Sequence, residues 1–359
     1  MFKPFIFQLP STKVELVNES KILYSTSNIN AQPLFKYGFH HYINQSKDKL
    51  VILNRDDLKG KAFYNIIEIF NNVIPNYDNS IGTYNKKYLG FDVEKDQLEL
   101  WEILTIFGLD GSVYINDENY DNIIKVFYSK SGLKYKQLDD FKKSDVYINI
   151  NNPKGDTKQL EQLHYSNFIE AISELDGLNK GGNCVIKIFD TYTDISVKLM
   201  KLVSEMFDET YIYKPYMTFA RDPTKYIVGL KFKDNFKNSS KLNEILKNIK
   251  NEKLNNIYND YVIPEPFEFV IKYMNIELGN FEHKMINILV DYIKKSNYFG
   301  DIYHNSVDNQ KKSTEYWIES FYMSNPKDYK KTKETLLSLI NKTIKGNNLE
   351  MTEIFKVLV

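Results

Sequence analysis

The sequence has very few residues of the kinds that build disulfide frameworks and metal centres. Its single cysteine, Cys184, excludes a disulfide scaffold and any zinc or iron–sulfur site that needs several thiolates. The adjacent His40 and His41 have no acidic or cysteine partner at ligand spacing, so no metal site is predicted. No run of about 18 apolar residues occurs, and the N-terminal segment lacks the apolar core of a secretory signal. We therefore expect no membrane segment and a reducing, cytoplasmic location.

Net charge and arginine are also scarce. The 47 basic residues are balanced by 47 acidic ones, which excludes a uniformly basic, histone-like nucleic-acid binder but not a local basic face. Only two of the basic residues, Arg55 and Arg221, are arginines. Bidentate guanidinium contacts with phosphates or base edges are therefore almost unavailable. Any nucleic-acid contact must depend on lysine charges and aromatic stacking.

Apolar side chains are abundant, and their spacing divides the chain into three regions. The hydrophobic content of 42% over 359 residues is enough for a sizeable core. Residues 1–92 form an N-terminal α+β region, residues 93–235 alternate helix and strand, and residues 236–359 form a helical C-terminal region. In the first region we predict an extended segment at 2–10, a strand at 50–55, a helix at 62–74 and a loop at 75–90. In the last region we predict helices at 241–258, 282–296, 313–323 and 333–344.

The middle region has the pattern of an α/β domain. Helices are predicted at 96–109, 118–129, 157–175 and after Thr193, which can cap the last of them. Strands are predicted at 112–116, 145–150, 184–190, 210–215 and 225–232, with residues 179–182 as the turn before the third strand. Such alternation predicts a mostly parallel sheet that is covered by helices on both faces.

Four segments in this region occur in an order typical of one enzyme family. They are DTKQLEQL (156–163), GGNCVIKIFD (181–190), ETYIYKP (209–215) and TKYIVGLKF (224–232). With them, the chain resembles the FtsJ-like RNA 2′-O-methyltransferases, in particular the cap methyltransferases of eukaryotes and large DNA viruses. The resemblance implies a Rossmann-like sheet, S-adenosylmethionine as methyl donor, a ribose 2′-hydroxyl of RNA as acceptor, and a Lys-Asp-Lys-Glu catalytic set.

Lys187 matches the central catalytic lysine of that family. It lies in the middle of the apolar strand VIKIF, and a buried lysine must be paired or neutral. The family's usual carboxylate neighbours are replaced, so the expected alternative partners of Lys187 are Asp190 and Asp222. Lys187 is therefore predicted as an inherited catalytic position that has lost its usual partners.

The other three catalytic positions depart from the family pattern. Ile150 stands where the family has its aspartate, and Thr224 stands where it has its glutamate, with Asp222 as the nearest carboxylate. Glu99 stands where the family has its first lysine, and either Lys95 or Lys61 is the candidate substitute.

The family's glycine-rich cofactor loop is also replaced. The matching residues are Asp117, Glu118, Asn119, Tyr120 and Asp121, without a glycine. Glycines in such a loop let the backbone approach a cofactor closely. Tyr120 and Asp121 crowd that approach and add negative charge near the donor's carboxylate.

These departures together favour a degenerate active site. The leading interpretation is a methyltransferase-fold protein that acts as a non-catalytic partner in viral mRNA capping or processing. It would bind RNA and associate with a capping enzyme or a poly(A) polymerase, in the host cytoplasm or the virion. The alternative is an active S-adenosylmethionine-dependent cap 2′-O-methyltransferase that uses Lys187 with displaced carboxylates.

Overall fold

A computed structural model gives the arrangement of most of the chain. It describes residues 5–10, 24–26, 31–35, 39–54, 69–71, 89–155, 159–234, 239–248, 253–257, 263–296, 298 and 300–322. None of the helices in these ranges is long and apolar enough to cross a membrane. The described residues form a seven-stranded sheet, a separate two-stranded sheet and helices packed around them.

The structure contains nine strands in the described residues. They are β1 (Phe5–Leu9), β2 (Tyr24–Thr26), β3 (Gly111–Ile115), β4 (Tyr135–Gln137), β5 (Ser144–Asn149), β6 (Leu178–Ile188), β7 (Phe207–Lys214), β8 (Lys225–Phe232) and β9 (Leu254–Ile257). The five predicted in the middle region and the extended segment at 2–10 are among them, whereas β2, β4 and β9 were not predicted. The large sheet has the order β1-β7-β8-β6-β5-β3-β4, and β2 pairs with β9. Strands β4, β3, β5 and β6 are parallel neighbours, whereas β8 is antiparallel to both β6 and β7.

The strand order reverses between β3 and β5. From β3 the chain moves outward to β4, and then returns to the other side of β3 to form β5 and β6. In open α/β sheets the crevice outside the carboxyl ends of the strands at such a reversal is the usual ligand site. We call the space between the ends of β3 and β5 the switch-point crevice.

The helices cover both faces of the large sheet, as predicted. They are α1 (Phe39–Asp48), α2 (Lys95–Phe107), α3 (Asp121–Ser131), α4 (Leu160–Glu174), α5 (Asp194–Met206), α6 (Ser239–Asn248), α7 (Glu265–Lys295) and α8 (Asp301–Phe321). One apolar core contains side chains of α4, α5, α6 and α7, and a second contains side chains of α2, α3 and α8. Trp101 and Trp317 are both buried in the second core.

Local features explain two of the helix ends. Gly108 takes a left-handed conformation with φ of 58° and ends α2. The hydroxyl of Thr193 accepts a hydrogen bond from the backbone N–H of Ser196 and so caps α5.

Three predictions of local structure are wrong. Residues 50–55 do not form a strand, because Lys49–Asn54 is a 3-10 helix whose apolar side chains pack beside α7. A short apolar run does not distinguish these possibilities by periodicity. Residues 254–257 pair with β2 instead of continuing a helix.

The third wrong prediction is a turn at 179–182. These residues lie within β6 as a bulge, since Ser144 pairs with Leu178 and Val146 pairs with Asn183. Gly181 has a φ of 80° within this bulge, a conformation that a glycine adopts without strain. The predicted helix at 62–74, the loop at 75–90 and the helix at 333–344 lie almost entirely outside the described residues.

Candidate functional site

A cavity of about 330 Å³ lies at the carboxyl end of β6. We call it the lysine cavity because Lys47 and Lys187 both line it. Its other lining residues are Leu50, Asp96, Asn152, Pro153, Leu160, Phe189, Phe219, Arg221, Asp222, Pro223 and Thr224. The cavity therefore combines buried charges with two aromatic rings, a composition suited to a polar ligand with a flat ring system.

Two lysines and two aspartates form a continuous chain of ion pairs beside this cavity. Lys187 Nζ lies 2.8 Å from Asp96 Oδ2, Asp96 Oδ1 lies 3.7 Å from Lys95 Nζ, and Lys95 Nζ lies 3.1 Å from Asp222 Oδ2. Lys187 also donates a 2.6 Å hydrogen bond to Asn152 Oδ1. We call Lys95, Asp96, Lys187 and Asp222 the ionic quartet. Its composition, two lysines and two carboxylates, is that of the catalytic set which the resemblance implies, although only Lys187 is at the matched position.

Electrostatic interactions hold Lys95 and Asp222 in their charged forms. Burial opposes the charge on Lys95, but Glu99, Asp222 and Asp96 outweigh it and keep the pKa of Lys95 above its ordinary value. Burial likewise opposes the charge on Asp222, but Lys95 and Lys214 outweigh it and hold the pKa of Asp222 well below its ordinary value. The pair is therefore a lasting ionic link between α2 and the loop before β8.

The fold explains why the amino end of α2 belongs to this site. A helix that precedes a parallel strand runs back over the sheet, so its first turn lies at the carboxyl edge of the strands. Lys95 and Asp96 open α2, whereas the catalytic match had pointed to Glu99 one turn further on. Lys95 is one of the two substitutes predicted from the sequence, whereas Asp96 and Asn152 were not predicted. Their position, at a helix start and just after β5, is the signal that could have identified them.

Glu99 and Thr224, which stand at the positions of the family's first lysine and its glutamate, each contact a member of the ionic quartet. Glu99 Oε1 lies 3.2 Å from Lys95 Nζ, and its other oxygen accepts a 2.6 Å hydrogen bond from the Tyr226 hydroxyl. The Thr224 hydroxyl donates a 2.6 Å hydrogen bond to Asp222 Oδ1. Lys61, the other candidate substitute, lies outside the described residues.

The expected partners of Lys187 are not the ones that it has. Asp190 is instead 2.6 Å from Lys47 Nζ, and Asp222 pairs with Lys95. Lys187 is directed toward Asp96 because both lie at the carboxyl edge of the sheet. Ile150 is buried, and only its backbone N–H takes part in polar contacts nearby, by donating to Asn116.

Side-chain amides bridge the switch-point crevice. Asn116, directly after β3, accepts a 2.7 Å hydrogen bond at Oδ1 from the backbone N–H of Ile150, directly after β5. Its Nδ2 donates a 3.0 Å hydrogen bond to Asn151 Oδ1, and Asn151 in turn donates to Asn149 Oδ1 at 3.1 Å. The two strand ends are thus tied together across the crevice by one side chain.

The side chains of the segment after Asn116 make hydrogen bonds with nearby residues. Asp117 Oδ1 accepts a 3.0 Å hydrogen bond from the Asn119 N–H, which caps the 3-10 helix Glu118–Tyr120. Asp121 Oδ2 accepts a 2.6 Å hydrogen bond from Gln137. Tyr120 is only 5% exposed, and burial together with the nearby Asp96 and Glu99 raises its pKa.

These residues do not fit S-adenosylmethionine. The chain has no glycine between Gly111 and Gly132, so the backbone here has no position where a cofactor can approach without a Cβ. Asn116 spans the crevice, and Asp117, Glu118 and Asp121 make the segment that follows it acidic, which disfavours a ligand that itself carries a carboxylate. Among the described residues that line the lysine cavity, none comes from 116–121.

Comparisons with known proteins agree with this fold. Residues 76–232 match the family model for FtsJ-like methyltransferase. An uncharacterized protein of Acanthamoeba polyphaga mimivirus is 26% identical over 372 aligned residues, which cover 98% of this chain and 99% of that protein. The similarity to this viral protein therefore extends beyond the family-matched segment at both ends.

Two cellular enzymes resemble a shorter part of the chain. The cap-specific mRNA (nucleoside-2′-O-)-methyltransferase 1 of Dictyostelium discoideum is 27% identical over 148 residues, 40% of this chain and 18% of that enzyme. The cap-specific mRNA (nucleoside-2′-O-)-methyltransferase 2 of Mus musculus is 30% identical over 117 residues, 32% of this chain and 15% of that enzyme. The chain thus spans less than a fifth of the length of either enzyme.

Proposed function

We propose that this chain, whose residues 76–232 belong to the FtsJ-like methyltransferase family, binds single-stranded RNA at the lysine cavity without transferring a methyl group. In this proposal it serves as a non-catalytic component of viral mRNA capping or processing. The observation that carries the proposal is the bridge made by Asn116 across the switch-point crevice.

The acceptor side of the site supports RNA binding. Lys187 is kept in the position that the family uses, and Phe189 and Phe219 line the same cavity. Aromatic rings stack on unpaired bases, and lysines neutralise the phosphates between them. Two relatives are named as enzymes that act on mRNA caps, which makes RNA the ligand class of choice.

The donor side supports the absence of methyl transfer. The crevice at a strand-order reversal is where this class of fold normally binds its cofactor. Here the Asn116 side chain bridges that crevice, and the segment that follows it contains a buried Tyr120 and three acidic residues, Asp117, Glu118 and Asp121. A protein that keeps one half of a two-substrate site has the properties of a binding subunit.

Calorimetry and RNA titration on one preparation test the proposal. We expect S-adenosylmethionine to give no binding heat at millimolar concentration, while fluorescence anisotropy reports binding of a short labelled RNA. Lys187→Met should weaken RNA binding, whereas Lys125→Met, a change of the same charge at a side chain 53% exposed on α3, should not. Micromolar affinity for S-adenosylmethionine, or no binding of RNA, would contradict the proposal.

The ionic quartet favours a second candidate function. Two lysines and two carboxylates around one cavity are what an active cap 2′-O-methyltransferase with displaced carboxylates would contain. Transfer of tritium from labelled S-adenosylmethionine to short capped transcripts by the wild type, and its loss in Lys187→Met, would establish this alternative.

The proposed partner is a capping enzyme or a poly(A) polymerase. The helices outside the family-matched segment, α1, α6, α7 and α8, supply surface that a methyltransferase domain alone would lack. Affinity capture from infected cells with the wild-type chain should recover one of these enzymes, and recovery of neither would contradict the assignment of the partner.

A further inference from the structure

We infer that Lys47, on helix α1, is a second RNA-binding residue of the lysine cavity and contacts one backbone phosphodiester of the bound strand. This inference rests on the proposed RNA binding at the same cavity. Lys47 lies outside the family-matched residues 76–232, so nothing in the match to that family assigns it a role.

Two carboxylates hold the ammonium of Lys47 in place. Asp190 Oδ2 accepts a 2.6 Å hydrogen bond from Lys47 Nζ, and Glu282 Oε1 lies 3.4 Å from the same nitrogen. The three side chains are all less than 10% exposed and come from α1, the end of β6 and α7. A lysine ammonium has three N–H donors. Asp190 and Glu282 can take up two of these donors, so one donor remains for a ligand.

The carboxylates stand behind the lysine as seen from the cavity. Lys47 lines the lysine cavity, but Asp190 and Glu282 do not. Those two carboxylates instead line a second cavity of about 10 Å³, together with Lys214 and Lys225. The lysine therefore separates the acidic groups from the space that a ligand would enter. Such an arrangement orients a cation toward an anionic ligand and shields that ligand from the carboxylates.

The charge balance of the cavity favours an anion at this place. Its lining includes three cations, Lys47, Lys187 and Arg221, and two anions, Asp96 and Asp222. Asp96 is paired with Lys187, and Asp222 is paired with Lys95. The carboxylates that are paired with Lys47 are Asp190 and Glu282, which do not line the cavity, so Lys47 presents its charge to the cavity without an adjacent lining anion of its own.

Salt dependence distinguishes a phosphate contact from a structural role. A lysine that binds one phosphate of a single strand contributes about 0.7 to the slope of log affinity against log salt concentration. We expect Lys47→Met to lower that slope by about 0.7 and to weaken binding of a labelled oligoadenylate about five- to tenfold at low salt. Glu282→Gln removes a negative charge behind the lysine and should tighten binding. Lys125→Met, on α3, is the charge-matched control and should leave the slope unchanged.

Oligoadenylates with one uncharged methylphosphonate linkage locate the contact. One linkage should weaken the wild-type complex when neutralised, and the same linkage should have no further effect on Lys47→Met. If Lys47→Met does not fold, the same set of oligoadenylates is compared on the wild type and on Glu282→Gln. Neutralising the linkage that Lys47 contacts should then abolish the tighter binding expected of Glu282→Gln. An even response at all linkages, or an unchanged slope in folded Lys47→Met, would overturn the inference. Wild-type protein that binds no RNA would overturn the proposed function as well.

Discussion

Lys95 and Asp222, which are 127 residues apart in the chain, lie 3.1 Å apart between Nζ and Oδ2. This ion pair joins the first turn of α2 to the loop before β8, and it places both residues beside the lysine cavity. Removing the charge of Asp222 therefore tests whether the ionic quartet holds the site together.

Asp222→Asn should lower the free energy of unfolding by about 1–3 kcal/mol at pH 7, between the values for exposed and for buried pairs. Asparagine can still accept the hydrogen bonds from Thr224, so the change isolates the ion pair. The pKa of Asp222 lies below its ordinary value of 3.8, so its contribution is present above pH 4 and is lost as the pH falls. In urea unfolding, the difference in the free energy of unfolding between the wild type and Asp222→Asn should become smaller as the pH falls below 4. Asp140→Asn, at a side chain 58% exposed, is the control and should change stability by less than about 0.5 kcal/mol.

Lys187→Met should cost about 1 kcal/mol of stability, because Asp96 and Asn152 lose a hydrogen-bond donor while the stem of the side chain keeps its packing. Asp96 is 25% exposed, so water compensates part of the loss. In a double-mutant cycle with Asp96→Asn, the two losses should be less than additive by at least about 0.5 kcal/mol. Strict additivity would show that the pair does not interact in solution.

His164 should make the protein sensitive to acid. It packs against Phe168 and Phe189. Burial lowers its pKa to about 4 and outweighs the opposing effect of a hydrogen bond with the backbone of Lys187. A lowered histidine pKa means that stability is full above pH 6.5 and is lost as the pH falls toward 4, by about 3 kcal/mol.

His164→Phe removes the titrating group and keeps a ring of similar shape. We expect the variant to gain stability over the wild type between pH 6 and 4, measured by urea unfolding. His304→Phe, at an exposed position of α8, should retain the wild-type pH profile. A parallel pH profile for His164→Phe and the wild type would contradict this account.

Glu102 should be the anchor of the last described helix. Its Oε1 accepts hydrogen bonds from the Tyr213 hydroxyl and, at 2.7 Å, from the backbone N–H of Tyr216. Its Oε2 accepts hydrogen bonds from the backbone N–H of Met217 at 3.2 Å and from Trp317 Nε1 at 2.9 Å. In Glu102→Gln the side-chain NH2 group replaces one of the two carboxylate oxygens and so faces the two donors that this oxygen accepted from. This should lower the free energy of unfolding by about 1–3 kcal/mol. Hydrogen exchange should accelerate in α8 more than in α4. Glu315→Gln, at an exposed position of α8, is the matched control and should leave hydrogen exchange in α8 unchanged.

The order of elements in the α/β region could be predicted from the sequence because both of its signals are local. Apolar periodicity and turn residues locate β8 at the predicted residues and α2 within a residue or two. The pairing of Lys187 with Asp96 could not be predicted in the same way, since it depends on which helix starts at which sheet edge. The contribution of Lys47 needed the packing of α1 on α7, which no local pattern encodes.

Some residues that line or adjoin the lysine cavity could be singled out from the sequence. Lys187 could be identified from the family resemblance, and Lys95 was a candidate, because both lie near residues that match the family's order. Asn116 could not be recognised as a bridge, because its importance comes from the hydrogen bond to Ile150 across two strands that are not neighbours in the sequence. Residues 117–121 follow β3 shortly after its end, as the predicted strand implied, but their local hydrogen bonds required the structure.

Strand β1 adds a constraint on biosynthesis. Phe5 pairs with Lys214 and Leu9 pairs with Thr210, so the first strand of the chain is matched with residues made some 200 positions later. During synthesis β1 must therefore wait, with its apolar side chains uncovered, until β7 has emerged from the ribosome. The closure of such a distant pair is slow because little local contact favours it. Until it closes, β7 carries an open strand edge at which another chain could pair.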